Sequence, residues 1–151
     1  MLYIFMGQSC TGKSTVADKV KELNGAKVFS GKDYLRMAKN ENEAWRLFHA
    51  KLSDAASMIS ASEETMIYLV TERVQLERII DIEGACKVKF TASLDTIKSR
   101  FAQRMQGKLP IPVEKMLTNQ YEEWKTINGD LNVDTTAEND VEKILSLIGC
   151  R

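Results

Sequence analysis

The tightest constraint on this chain is the octapeptide Gly7-Gln8-Ser9-Cys10-Thr11-Gly12-Lys13-Ser14. Its spacing is G-x-x-x-x-G-K-S, the pattern of a phosphate-binding loop, which needs a strand before it and a helix after it. The flanks comply. Leu2 to Met6 is an apolar run suited to a buried strand, and Ser14 to Leu23 carries Val16, Val20 and Leu23 at helical spacing. A phosphate chain is an array of anionic oxygens, and backbone N–H groups at a helix N-terminus form a ready receptor for it. Glycines at 7 and 12 let the backbone approach closely. The candidate phosphate-binding residues are therefore Gly7, Ser9, Cys10, Thr11, Gly12, Lys13, Ser14 and Thr15. Lys13 is placed to reach β- and γ-phosphate oxygens, and the Ser14 hydroxyl to ligate Mg²⁺.

The remaining chain alternates strands and helices. Residues 26–29, 66–71, 86–91 and 131–135 read as strands. Residues 34–37, 43–61, 75–80, 94–105 and a segment from Pro112 to about Trp124 read as helices. Asn24-Gly25 is a helix stop, Asp33 a plausible N-cap and Ser93 another. Trp45, Phe48, Leu52, Ala55 or Ala56, and Ile59 make one apolar stripe, as do Leu94, Ile97, Phe101 and Met105. Val113, Met116, Leu117 and Trp124 are expected to face inward. Asn139-x-x-Glu142 reads as a capping box for a last helix that buries Val141, Ile144, Leu145 and Ile148 and ends at Gly149. Both prolines fall in the Gly107 to Pro112 break. The expected fold is a three-layer α/β/α sandwich with a five-stranded parallel sheet, a P-loop NTPase fold. Ligands in such sheets sit beyond the carboxyl ends of the strands, where Lys13, Asp33, Glu72 and Arg73 fall.

Composition sets limits on partners. The chain has 151 residues, so one domain is expected, and it carries 21 Lys+Arg against 21 Asp+Glu. That balance gives no bulk attraction to a nucleic acid polymer or an anionic membrane. Cys10, Cys86 and Cys150 are far apart and there is a single histidine, which argues against a Cys/His zinc site and for reduced thiols. The first strand begins at residue 2 and no apolar run approaches spanning length, so a cytoplasmic protein is expected.

At four places the chain resembles the small P-loop kinases: the nucleoside monophosphate kinases and the related shikimate and gluconate kinases. The first is the phosphate-binding loop. The second, Ser30-Gly31-Lys32-Asp33-Tyr34-Leu35-Arg36, is similar to the segment that opens the acceptor-binding helix of adenylate-kinase-type enzymes. The third, Arg100-x-x-x-Arg104, resembles the start of their lid. The fourth, Asp130 to Thr136, resembles their last strand. The lid is short and poor in arginine beside that of adenylate kinase, and the third strand ends in Val70-Thr71-Glu72 where the family more often has Asp.

The resemblance implies one kinase domain over 1–151, with acceptor-binding helices at about 33–62 and a short lid at about 100–112. It implies ATP as co-substrate, Mg²⁺ as cofactor, a small-molecule acceptor, and a monomer or homodimer. Lys13, Asp33, Arg100 and Arg104 are the implied catalytic residues. Asp33, Arg36, Glu72 and Arg73 are the implied acceptor-binding residues, with Asp33 or Glu72 in the outer shell of the metal. A nucleotide or nucleoside is the favoured acceptor; the alternatives are a hydroxyl acceptor of shikimate or gluconate type, or a regulatory ATPase with no acceptor. The guanine-reading N/T-K-x-D motif of GTPase switches and the ABC-type signature stretch are both absent.

Overall fold

The computed structural model describes residues 1–57 and 65–136, together with the helical positions 142, 144 and 146. Its centre is β1 (Leu2–Met6), in which every residue is buried. β1 pairs in parallel with β3 (Met66–Val70) on one side and with β4 (Cys86–Thr91) on the other. β2 (Lys27–Ser30) and β5 (Leu131–Asp134) close the two edges, giving a five-stranded parallel sheet in the order β2-β3-β1-β4-β5. Both edges are more polar than the centre: Lys27 and Ser30 of β2 and Asn132 and Asp134 of β5 are exposed, as suits strands with an unpaired side.

Side-chain alternation along β1 divides the core in two. Leu2, Ile4 and Met6 join Met66, Tyr68 and Val70 beneath α2 (Glu41–Ser57), which inserts Ala44, Phe48, Leu52 and Ala56. Tyr3 and Phe5 face the other way, with Ile67, Leu69, Val88, Phe90 and Val133. α1 (Lys13–Asn24) covers them with Val16, Ala17 and Val20, and the helical Ile144 packs there too. Each fully buried large side chain contributes about 1.5–3 kcal/mol. Both faces are therefore sealed, and the polar chemistry is left to the carboxyl ends of the strands.

Several local expectations are corrected. Leu23 is 55% exposed; the buried face of α1 ends at Val20. Asp33 does not cap a following α-helix. It lies inside a 3₁₀ turn over Asp33–Met37, and its carboxylate turns back to accept from Ser30 N at 2.8 Å and from the Ser30 hydroxyl at 3.4 Å. α3 (Arg73–Glu77) starts earlier than expected, because Gln75 Oε1 accepts from the Thr71 and Glu72 amides at the helix start. α4 (Leu94–Arg104) is capped by Ser93 as its sequence predicts, but Met105 falls beyond the helix and is exposed. α5 (Ile111–Lys125) carries Pro112 in its first turn and buries Leu117 and Trp124, while Met116 points outward. Ile59, Asn139, Val141, Leu145, Ile148, Gly149 and Cys150 lie outside the described residues.

Candidate active site

Gly7 ends β1 and donates its N–H to Val70 O at 3.1 Å. Its φ is 148°, and a Cβ there would stand 2.4 Å from the Phe90 carbonyl oxygen, so only glycine lets the chain leave the sheet at this point. The loop then turns through Cys10, at φ 66°, and Gly12, at φ 89°, the residue that precedes α1. Cys10 is a non-glycine in the left-handed region. It is held there by burial of its side chain against Ala92, Ile97 and Leu117.

The loop wraps its own lysine. Lys13 Nζ donates to Gly7 O at 2.6 Å and to Gln8 O at 2.7 Å, and the residue is only 6% exposed. Burial lowers its pKa from 10.5 to about 8; the Cys10 thiol works in the other direction, and Arg104 adds to the lowering. Beside it opens a cup of about 270 Å³, walled by Ser9, Cys10, Gly12, Lys13, Ser14 and Thr15 of the loop, by Ser30, Leu69 and Thr71 at the strand ends, and by Arg104.

The other expected residues are distributed unevenly. Arg104 reaches the cup. Arg100 lies behind it: its guanidinium donates to Cys10 O at 3.0 Å, to the Thr135 hydroxyl at 3.1 Å and to Thr135 O. Its contacts are those of a brace for the loop. Asp33 meets the cup only through Ser30. Arg36 is exposed on the 3₁₀ turn and is not in the wall. Glu72 forms no ion pair with Arg73 or Lys32; Arg73 pairs with Glu77 at 3.4 Å, and neither Glu72 nor Arg73 lines the cup. Thr11 turns away from it and donates to Gln8 O at 2.7 Å.

Three contributors escaped the sequence reading. Ser30 and Thr71 sit directly at strand ends, where topology places ligands, but no spacing marks their hydroxyls out beside the neighbouring charges. Thr135 is buried under Gly12, and its hydroxyl donates to Thr11 O at 2.9 Å. Nothing in a lone threonine after a strand signals that role.

Among the described residues, no group of three His, Cys, Asp or Glu is arranged to hold a metal. The cup does present hard oxygen donors on Ser14, Thr15, Ser30 and Thr71. They fit Mg²⁺ that is carried on phosphate and keeps several waters. No helix among the described residues is long and apolar enough to cross a membrane.

No protein-family model matches the chain, and no curated protein matches it. Solved structures do match in shape. A shikimate kinase from Bacteroides thetaiotaomicron superposes with a TM-score of 0.66 at 11% identity, covering 99% of this chain and 98% of that one. A gluconokinase from Sinorhizobium meliloti 1021 gives 0.57 at 16%, covering 95% and 86%. The chain has the fold of the small P-loop kinases. A tunicamycin resistance protein from Deinococcus radiodurans also superposes, with a TM-score of 0.66 at 15% identity over 99% of this chain and 96% of that one. At 11–16% identity these neighbours show the fold alone.

The bracing by Arg100 can be tested. Arg100→Met should lower stability by roughly 1.5–3 kcal/mol, the range for hydrogen bonds to a charged group. In a chain of this length that is a fall in Tm of about 5–10 °C. A melting curve superimposable on that of the parent would contradict the bracing role.

Proposed function

We propose that this chain is an ATP-dependent phosphotransferase that moves the γ-phosphate of ATP to a small-molecule acceptor. The observation that carries the reading is the cup itself. Its wall joins the loop around Lys13 to Arg104 and to the ends of β2 and β3, so nucleotide phosphates and an acceptor would meet in one concave space. Phosphoryl transfer asks the protein for alignment, charge neutralisation and exclusion of water. Lys13 would exchange its two carbonyl partners for phosphate oxygens, which are stronger acceptors because they are charged. Arg104 would add a second positive charge as the 105–110 segment closes over the cup. Mg²⁺ held by Ser14 and the phosphates would supply further charge neutralisation. Arg100 acts in this reading by holding the loop.

Two acceptor classes remain, and different residues serve them. A nucleotide acceptor rests on the resemblance of Ser30 to Arg36 to adenylate-kinase-type enzymes and needs Arg36 to bind a phosphate. A hydroxyl acceptor, as the names of the shikimate kinase and gluconokinase neighbours suggest, is favoured by the Asp33–Ser30 link at the cup. A carboxylate there can orient or deprotonate a hydroxyl.

The two classes separate by mutation. For a nucleotide acceptor, Arg36→Lys should raise acceptor KM with ATP affinity unchanged, at roughly 1.5–3 kcal/mol, since Lys cannot copy a bidentate contact. For a hydroxyl acceptor, Asp33→Asn should instead lower kcat by roughly 10²–10⁴-fold, with Arg36→Lys mild. Steady-state kinetics of the two variants assign the class. Indifference to both changes would remove the 3₁₀ turn from the acceptor site.

A further inference from the structure

A second cavity, of about 480 Å³, lies behind the phosphate-binding loop, between the carboxyl end of β4 and the helices α4 and α5. Gln8 and Thr11 line it, so it adjoins the phosphate-binding loop, but it shares no lining residue with the cup. Its body is apolar and aromatic, from Ile97, Tyr121 and Trp124. One feature of the lining is not explained by packing. Lys89, on β4, is 7% exposed and lines the cavity, and its side chain makes no hydrogen bond or ion pair among the described residues. Burial alone lowers its pKa, with no neighbouring charge to offset the loss of solvent. The residue is nine-tenths buried along its stem, while the ammonium stays in contact with the cavity and makes no ion pair among the described residues, so an anion entering the cavity would find it unengaged.

The charges at the rim narrow the class of partner. Asp134 lines the cavity, and hydrogen bonds from the Thr136 hydroxyl and amide hold its carboxyl below the usual range, so it stays ionised. Lys125, the other cation of the lining, is engaged by Glu122 at 3.1 Å and lies over the Tyr121 ring. Among the described residues of the lining, one unengaged positive charge, an apolar body and an anionic rim suit a single negative charge and disfavour a phosphate dianion. The volume is that of a small-molecule pocket. We infer that this cavity is a binding site for a small monocarboxylate with a ring or apolar body, its carboxylate paired with the Lys89 ammonium. The site is separate from the proposed transfer reaction and does not depend on it.

Amide-resolved NMR titration of the full chain with benzoate, and in parallel with its neutral analogue benzamide, tests the assignment. Benzoate should shift the amides of Thr91, Ser93, Tyr121 and Asp134 saturably, and benzamide should bind roughly tenfold more weakly or worse, as expected from loss of a charge-assisted bond. Lys89→Met, checked for an otherwise unchanged spectrum, should weaken benzoate to the level of benzamide. Equal shifts from both probes would overturn the carboxylate assignment. So would shifts confined to the Ser9–Thr15 cup, or an absence of saturable shifts. The comparison of the two probes on the parent protein stands even if Lys89→Met fails to fold.

Discussion

Lys13→Met is expected to abolish phosphoryl transfer while leaving the fold at least as stable as the parent at pH 7. The loss of activity follows from removing the one buried cation at the cup among the described residues. Deleting a single preorganised charge-stabilising group ordinarily lowers kcat by roughly 10²–10³-fold or more. The stability effect follows from linkage. Lys13 has a pKa of about 8 in the fold against an ordinary 10.5. Between those values the unfolded chain holds a proton that the native protein has released, so native stability rises with pH across about 8 to 10.5. Below pH 8 the full penalty of the buried charge is present, on the order of 3 kcal/mol. Methionine removes that penalty and forfeits two hydrogen bonds to loop carbonyls, worth about 1 kcal/mol each. Thermal melts from pH 7 to 10.5 should show parent stability climbing relative to a flatter Lys13→Met profile. A variant that retains activity, or that is far less stable at pH 7, would contradict this account of the lysine.

Gly7→Ala is expected to be the most destabilising single change at the site. The added Cβ would meet the Phe90 carbonyl oxygen at 2.4 Å, and that atom belongs to the backbone of β4 and cannot turn aside. The φ of 148° adds conformational strain. Together these should cost roughly 3–5 kcal/mol, a drop in Tm of about 10 °C or more. Gly25→Ala is the control. It too has a positive φ, 72°, but nothing lies within 4 Å, so only a cost of about 1 kcal/mol is expected. Equal melting temperatures for the two variants would show that the Phe90 contact does not confine the loop.

The architecture was legible because its signals are local and repeated. A fully apolar β1, a helical Val16–Val20 stripe and a glycine–lysine spacing each point to the same sheet and the same loop. The Phe48–Leu52–Ala56 face of α2 was readable for the same reason. What could not be read was which side of an element a polar residue serves. Arg100 and Arg104 are one helical turn apart and look equivalent in sequence. Arg104 reaches the cup, whereas Arg100 is drawn under the loop by the carbonyls of Cys10 and Thr135, residues 90 and 35 positions away. Asp33 has the residue type of a helix cap, but it falls one position inside the 3₁₀ turn, and its carboxylate accepts from the Ser30 amide instead. Thr135 and Lys89 acquire their roles only when β5 and β4 are placed beside the loop, and no spacing rule announces that.

The central claim is transfer of phosphate, as distinct from nucleotide binding alone. The most direct measurement is ³¹P NMR of the protein with Mg²⁺-ATP and, one at a time, nucleoside monophosphates, nucleosides, shikimate and gluconate. The account predicts a new phosphorylated-acceptor resonance with one of these classes, growing in step with ADP and absent with Lys13→Met. ATP converted to ADP and orthophosphate at one rate whatever the acceptor, or ATP left unbound, would contradict it.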